Sequence, residues 1–147
     1  MAEKTQQVLG VLASGRGTDL QSIIDAVHRG EVHAKIGVVL SDKPDAYALE
    51  RAKKAGIPAL CIDRKQYDGR EPFEEALIAA LEEKGVTLVV LAGFMRILTP
   101  LFVRHYKGRI LNIHPALLPS FPGAHAHRDV LAYGVKVSGC TIHFVDE

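Results

Sequence analysis

Short, unbroken apolar runs set at intervals along the chain restrict its fold more than any other feature. They are VLGVLA (residues 8–13), KIGVVL (35–40), PALCI (58–62), VTLVVLAG (86–93) and RILNI (109–113). A strand with one wet face alternates polar and apolar residues, whereas a strand covered on both faces does not. These runs therefore predict buried parallel strands. The stretches between them read as helices. Leu20, Ile23, Ile24 and Val27 recur at i, i+3, i+4 and i+7, and so do Phe73, Ala76, Leu77 and Ala80. A third helix is expected over 45–55, stopped by Gly56 and Pro58, and a short fourth begins with Thr99 as cap and Pro100 in its first turn. Alternation of this kind predicts an α/β fold: a doubly wound, mostly parallel, Rossmann-like sheet in three αβα layers with right-handed crossovers. One more helical pattern ends at Tyr133, and a sixth strand over 138–145 follows, its direction open.

Composition narrows the classes. The 147 residues suffice for a single domain, expected to span 1–147. A formal charge of +1 gives no field favouring nucleic acid or an anionic membrane. No apolar run reaches the ~18 residues of a membrane span, and the start MAEKTQQVLGVLA lacks a basic leader and a cleavage site. Cys61 and Cys140 both stand in apolar runs and are expected to be buried thiols in a reducing, cytoplasmic setting.

Ligands of open α/β sheets bind beyond the carboxyl ends of the strands. Those ends carry SGRGTD, SDKPD, DRKQYDGRE, GFMRIL and NIHPALLP. In the first, Gly15 and Gly17 permit a sharp turn into a helix whose early N–H groups, around Gly17, Thr18 and Asp19, suit a single phosphate. It is not a Walker loop, because Arg16 follows Gly15, and Leu20 occupies the third glycine position of a dinucleotide fingerprint. The alternative is a plain β–α turn with Asp19 as the helix cap.

NIHP is sharper. Asn112 and His114 are two residues apart, so a strand presents both on one face. An amide that polarises a carbonyl beside an imidazole that moves protons is what acyl transfer needs. The alternative is an ordinary strand-end pair hydrogen-bonded into a turn before Pro115. No serine or cysteine stands next to His114, so a covalent acyl intermediate is not indicated. His114, His125, His127 and His143 could be read as metal ligands, but nothing in the sequence fixes a third ligand or its support, and no metal is expected. His125 and His127 are assigned instead to shaping a loop or capping a helix. AGFMRILTP (92–100) either packs its apolar residues into the core or forms an apolar slot whose backbone pairs with a flat heterocycle. Arg70 is a loop cation, solvated or facing a carboxylate or phosphate.

With SGRGTDLQ, LAGFMRIL, NIHPALLPSFPGAHAHRD and GVKVSGCTIHFVDE assembled, the chain resembles, over residues 8–147, the phosphoribosylglycinamide formyltransferase family of folate-dependent enzymes in purine biosynthesis. The resemblance implies formyl transfer from 10-formyltetrahydrofolate to the amine of 5-phosphoribosylglycinamide, by direct attack and without metal. It implies that Gly17, Thr18 and Asp19 hold the ribose phosphate. Arg70, Met95, Arg96, Ile97, Leu98 and Asn112 would contact the folate, the backbone of 95–98 reading its pterin. His114 would be the proton donor and Asn112 the carbonyl polariser. No nucleic acid or membrane partner is implied, and a homodimer is compatible with the pattern.

Two departures stand out. The family's phosphate loop usually ends in Ser-Asn or Thr-Asn, so Asp19 after Thr18 is expected to weaken phosphate affinity. The family pattern also continues past the equivalent of Glu147 into a Gly-Val-Asp-Thr-Gly-like loop, whose aspartate orients the histidine, and then a strand and a helix. That aspartate is expected beyond Glu147, so a chain lacking it would keep the fold with little activity. Related formyl-handling enzymes differ in kind. The methionyl-tRNA enzyme would carry an RNA-binding domain and a different opening loop. The formyltetrahydrofolate deformylase would carry a regulatory domain and a second histidine where Pro115 stands.

Overall fold

The computed structural model describes residues 6–115 and 140–144. Strands β1 (Gln7–Leu12), β2 (Ala34–Ser41), β3 (Ala59–Cys61), β4 (Leu88–Ala92) and β5 (Ile110–Pro115) pair in parallel, and β6 (Cys140–Phe144) pairs antiparallel with β5. The spatial order is β3-β2-β1-β4-β5-β6. Helices α1 (Thr18–His28), α2 (Tyr47–Lys54), α3 (Arg70–Glu83) and α4 (Pro100–His105) make the connections. The doubly wound fold expected from the runs is the fold observed, and the open direction of the last strand resolves as antiparallel.

Alternation along the strands divides the core in two. Leu9, Val11, Val39 and Val90 pack against Leu20, Ile23 and Ile24 of α1 and Ala48 and Ala52 of α2. Leu12, Leu40, Val89 and Leu91 face the other way, onto Phe73, Leu77 and Leu81 of α3 and onto Phe102 and Tyr106 at α4. Helices thus cover both faces, which is why β4 is buried at every position. Each large aliphatic side chain so removed from water contributes about 1.5–3 kcal/mol.

The first three strands wind outward in one direction. The chain then returns through α3 to β4 and winds the other way, so direction reverses between β1 and β4. A reversal of this kind leaves a crevice at the strands' carboxyl ends.

Two local expectations fail. The run over 58–62 was expected to be a buried strand, but only Ala59–Cys61 pairs, at the sheet's edge. Leu60 is 47% exposed and Cys61 is an exposed thiol rather than a buried one. An edge strand has a neighbour on one side only, and sequence hydrophobicity does not reveal that position. Thr99 does occupy the N-cap of α4, but its side chain makes no capping bond. Its hydroxyl donates to Glu74 instead. The helical pattern ending at Tyr133, His125, His127 and Asp146 lie outside the described residues.

Candidate active site

The turn between β1 and α1 is shaped by one glycine. Gly17 is buried and takes φ 76°, ψ 26° at the N-cap of α1. A Cβ there would lie 2.7 Å from the Cα of Ala48, so α2 leaves room for glycine alone. The helix therefore has no side-chain cap, which overturns Asp19 as the capping residue. Asp19 is an acidic residue of the first turn, where it complements the helix dipole and competes with an incoming anion for the same field. The first bond into the ladder is Gln21 N–H to Gly17 C=O, at 2.8 Å. The carbonyls of the turn are held from α2: Ala48 N–H donates to Gly15 C=O at 3.1 Å and Arg51 Nε to Arg16 C=O at 2.7 Å. With its carbonyls engaged there, the turn is suited to presenting N–H groups to an anion.

The segment after β4 is built differently. Gly93 takes φ 74°, and Ser14 N–H donates to its carbonyl at 3.2 Å. Phe94 and Leu98 pack on the core, while Met95 and Ile97 are 75% and 79% exposed. The reading of this stretch as apolar residues packed wholly into the core is therefore corrected. Arg70, Met95, Arg96, Ile97 and Leu98 line one cavity of about 300 Å³, together with Arg64, Phe73 and Glu74. That volume is at the lower end for small-molecule sites. Neither Arg64 nor Arg70 has a carboxylate partner among the described residues, so two guanidinium groups without an ion pair stand in the lining. Arg96 differs: its Nε donates to Asp42 Oδ2 at 2.9 Å.

Asn112 lies on β5 in register with Leu91, and Leu91 is in register with Leu12. One level across three strands therefore joins the ends of β1 and β4 to Asn112, spanning about 10 Å at ordinary strand spacing. His114 stands two residues further along β5, as Ser14 and Gly93 do beyond Leu12 and Leu91. The strand continues through His114 to Pro115, paired with Thr141 and Cys140 of β6, so the expected turn before Pro115 is absent.

The site residues named from sequence thus fall into three groups at one edge of the sheet. Gly17, Thr18 and Asp19 open α1; Arg70, Met95, Arg96, Ile97 and Leu98 surround the cavity; Asn112 and His114 lie on β5. Among the described residues, those of the turn and Asn112 of β5 do not line the cavity. Sequence reasoning missed Ser14, Asp42, Arg51, Arg64 and Glu74. Ser14, Asp42 and Arg64 stand in the strand-end segments, and Glu74 alone carried a signal of a buried partner: with Leu77, Ile78 and Leu81 it forms an i, i+3, i+4, i+7 stripe, and a carboxylate on a buried stripe calls for a partner. Partial desolvation, then the charges of Asp63, Asp42 and Asp45, push the Cys61 thiol upward, which makes it a poor nucleophile. Among the described residues no group of His, Cys, Asp and Glu is arranged to hold a metal, and no helix is long and apolar enough to cross a membrane.

The glycine-shaped turn after β1 and the cavity-lining segment after β4 thus follow adjacent parallel strands, with Asn112 on the next strand. The chain belongs to the formyl transferase family, whose model matches residues 8–147. It is similar to the phosphoribosylglycinamide formyltransferase of Escherichia coli (strain K12), with 47% identity over 137 residues, 93% of this chain and 65% of that protein. It is also 50% identical over 139 residues to the trifunctional purine biosynthetic protein adenosine-3 of Gallus gallus, covering 95% of this chain and 14% of that one. The crystal structure of glycinamide ribonucleotide transformylase 1 from Symbiobacterium toebii superposes with a TM-score of 0.77 at 49% identity, covering 95% of this chain and 66% of that one. The chain spans about two thirds of the length of the bacterial relatives and 10–14% of the trifunctional ones.

Proposed function

We propose that this chain carries the transfer of formyl from 10-formyltetrahydrofolate to the amine of 5-phosphoribosylglycinamide, a step of de novo purine biosynthesis. The observation that carries the reading is the cavity that gathers Arg70 with Met95, Arg96, Ile97 and Leu98, residues far apart in sequence that the family resemblance assigns to one folate. In this reading the backbone of 95–98 pairs with the pterin, and Arg70 meets an anionic group of the folate. The turn at Gly17, Thr18 and Asp19 takes the ribose phosphate.

Asn112 donates from its amide to the formyl oxygen, which draws electrons from the carbon and stabilises the oxyanion. The substrate amine attacks that carbon directly. A proton leaves the new ammonium, another reaches the folate nitrogen through His114, and the C–N bond to folate breaks. The products are formylated glycinamide and tetrahydrofolate, and no step calls for a metal.

The test uses the full-length protein with 10-formyltetrahydrofolate, with and without phosphoribosylglycinamide. Formyl transfer should require the amine. Formate release in its absence would make the protein a deformylase instead. His114→Ala should lower kcat by about 10²–10⁴-fold with little change in substrate affinity, and Asn112→Ala by about 10²–10³-fold. Undiminished turnover in either variant moves the chemistry to other residues.

A further inference from the structure

We propose that Asp42 is a positioning residue that holds the 93–98 segment ready for the folate, an inference that rests on the function proposed above. Asp42 directly follows β2, and its side chain is fully buried. A carboxylate in that position is costly unless both oxygens are satisfied. Both are: Oδ1 accepts from Ser14 Oγ at 2.6 Å and Oδ2 from Arg96 Nε at 2.9 Å.

The consequence lies in the direction of a proton. A serine hydroxyl has one hydrogen and two lone pairs, and an ionised carboxylate can only accept. Asp42 therefore draws the Ser14 proton toward itself and leaves the Ser14 oxygen to accept. Met95 N–H donates to that oxygen at 2.8 Å. One carboxylate thus fixes two successive residues, Met95 through Ser14 and Arg96 directly. The exposed side chains of Met95 and Ile97 add little anchorage of their own. The geometry also revises the part played by Arg96, whose Nε is committed within the protein and whose backbone is what the ordered segment offers a ligand.

The test compares Asp42→Ala, Asp42→Asn and Ser14→Ala in the full-length protein. Ligand-free amide exchange is read at Met95, and binding is measured for 10-formyl-5,8-dideazafolate, a stable folate analogue, and separately for phosphoribosylglycinamide. Asp42→Ala and Ser14→Ala should speed Met95 exchange at least about tenfold while the strands of the core stay protected. They should weaken the folate analogue by about tenfold and leave phosphoribosylglycinamide almost unchanged. Asp42→Asn keeps an acceptor for Arg96, and its amide can donate to the Ser14 oxygen, whose second lone pair still serves Met95. It should therefore recover most of the affinity. Equal losses for both ligands, unchanged Met95 exchange in Asp42→Ala, or an Asp42→Asn variant no better than Asp42→Ala would each overturn the assignment. If the wild-type protein binds no folate analogue, the proposed function fails; unchanged exchange remains a separate failure of the positioning role.

Discussion

The two loops that meet at the centre of the sheet do similar work by different means. The turn after β1 is fixed by backbone: a positive φ at Gly17, the close approach of Ala48, and loop carbonyls tied to α2. The segment after β4 is fixed by side chains. At one end Met95 and Arg96 reach Asp42, through Ser14 or directly. At the other, Thr99 N–H donates to Glu74 Oε2 at 2.7 Å and its hydroxyl to Oε1. An anion wants N–H groups converging from a tight turn, which glycine permits and side chains would obstruct. A flat heterocycle wants an extended edge held still, which needs anchors outside the edge itself.

Gly17→Ala attacks the first device and should have the largest effect. A left-handed φ costs a non-glycine residue about 1–2 kcal/mol, and a Cβ at 2.7 Å from Ala48 Cα adds about 1–3 kcal/mol of overpacking. Stability by urea titration should fall by about 2–5 kcal/mol. Phosphoribosylglycinamide affinity should drop at least about tenfold, with folate-analogue affinity little altered once folding is corrected for. Wild-type stability in this variant would mean that the turn relaxes freely and that its shape is not set by glycine.

Glu74→Gln attacks the second device from the side of α3. Glu74 is 2% exposed and serves both donors of Thr99. Glutamine keeps one acceptor for the Thr99 N–H, but its amide NH2 then faces a Thr99 hydroxyl that must turn to accept and leave its own proton unpartnered, a change of about 1–2 kcal/mol. The expected pattern is the reverse of the glycine variant: severalfold weaker folate-analogue binding with phosphoribosylglycinamide affinity retained. Equal losses at both ligands would erase the distinction between the loops.

The same contrast decides what could be read in the sequence. The doubly wound sheet was legible because burial on both faces leaves continuous apolar runs, as in VTLVVLAG. The turn after β1 was legible because its cause is local, two glycines between a strand and a helix. The anchors of the segment after β4 were not. The Met95–Ser14, Arg96–Asp42 and Thr99–Glu74 bonds join residues 81, 54 and 25 positions apart, and no local pattern pairs them. SDKPD was marked as lying at a strand's carboxyl end, which located Asp42 without revealing its partners. The edge character of β3 was hidden for a similar reason, since strand order is a property of the whole sheet. Asn112 and His114 could be proposed from sequence because the pattern is compact, an amide and an imidazole one side-chain period apart on a strand.

Arg51 offers the smallest effect, and it sharpens the comparison where the two devices blend. It is a side chain serving the backbone-built turn, with Nε on Arg16 C=O and Nη1 on Gln21 Oε1 at 3.2 Å, its guanidinium 4.9 Å above the Tyr47 ring. Removing it with Arg51→Ala should cost about 1 kcal/mol and weaken phosphoribosylglycinamide severalfold. Arg51→Lys separates two causes. If the residue acts through charge near the phosphate, lysine restores affinity and the remaining dependence on salt is unchanged. If it acts by holding the Arg16 carbonyl while bracing Gln21, a single ammonium cannot reproduce the two-pronged geometry, and lysine behaves much like alanine. The distances favour the second outcome, because both of those donors point at neutral oxygens of the protein. Full rescue by lysine would place Arg51 among the residues that attract the phosphate rather than among those that shape its turn.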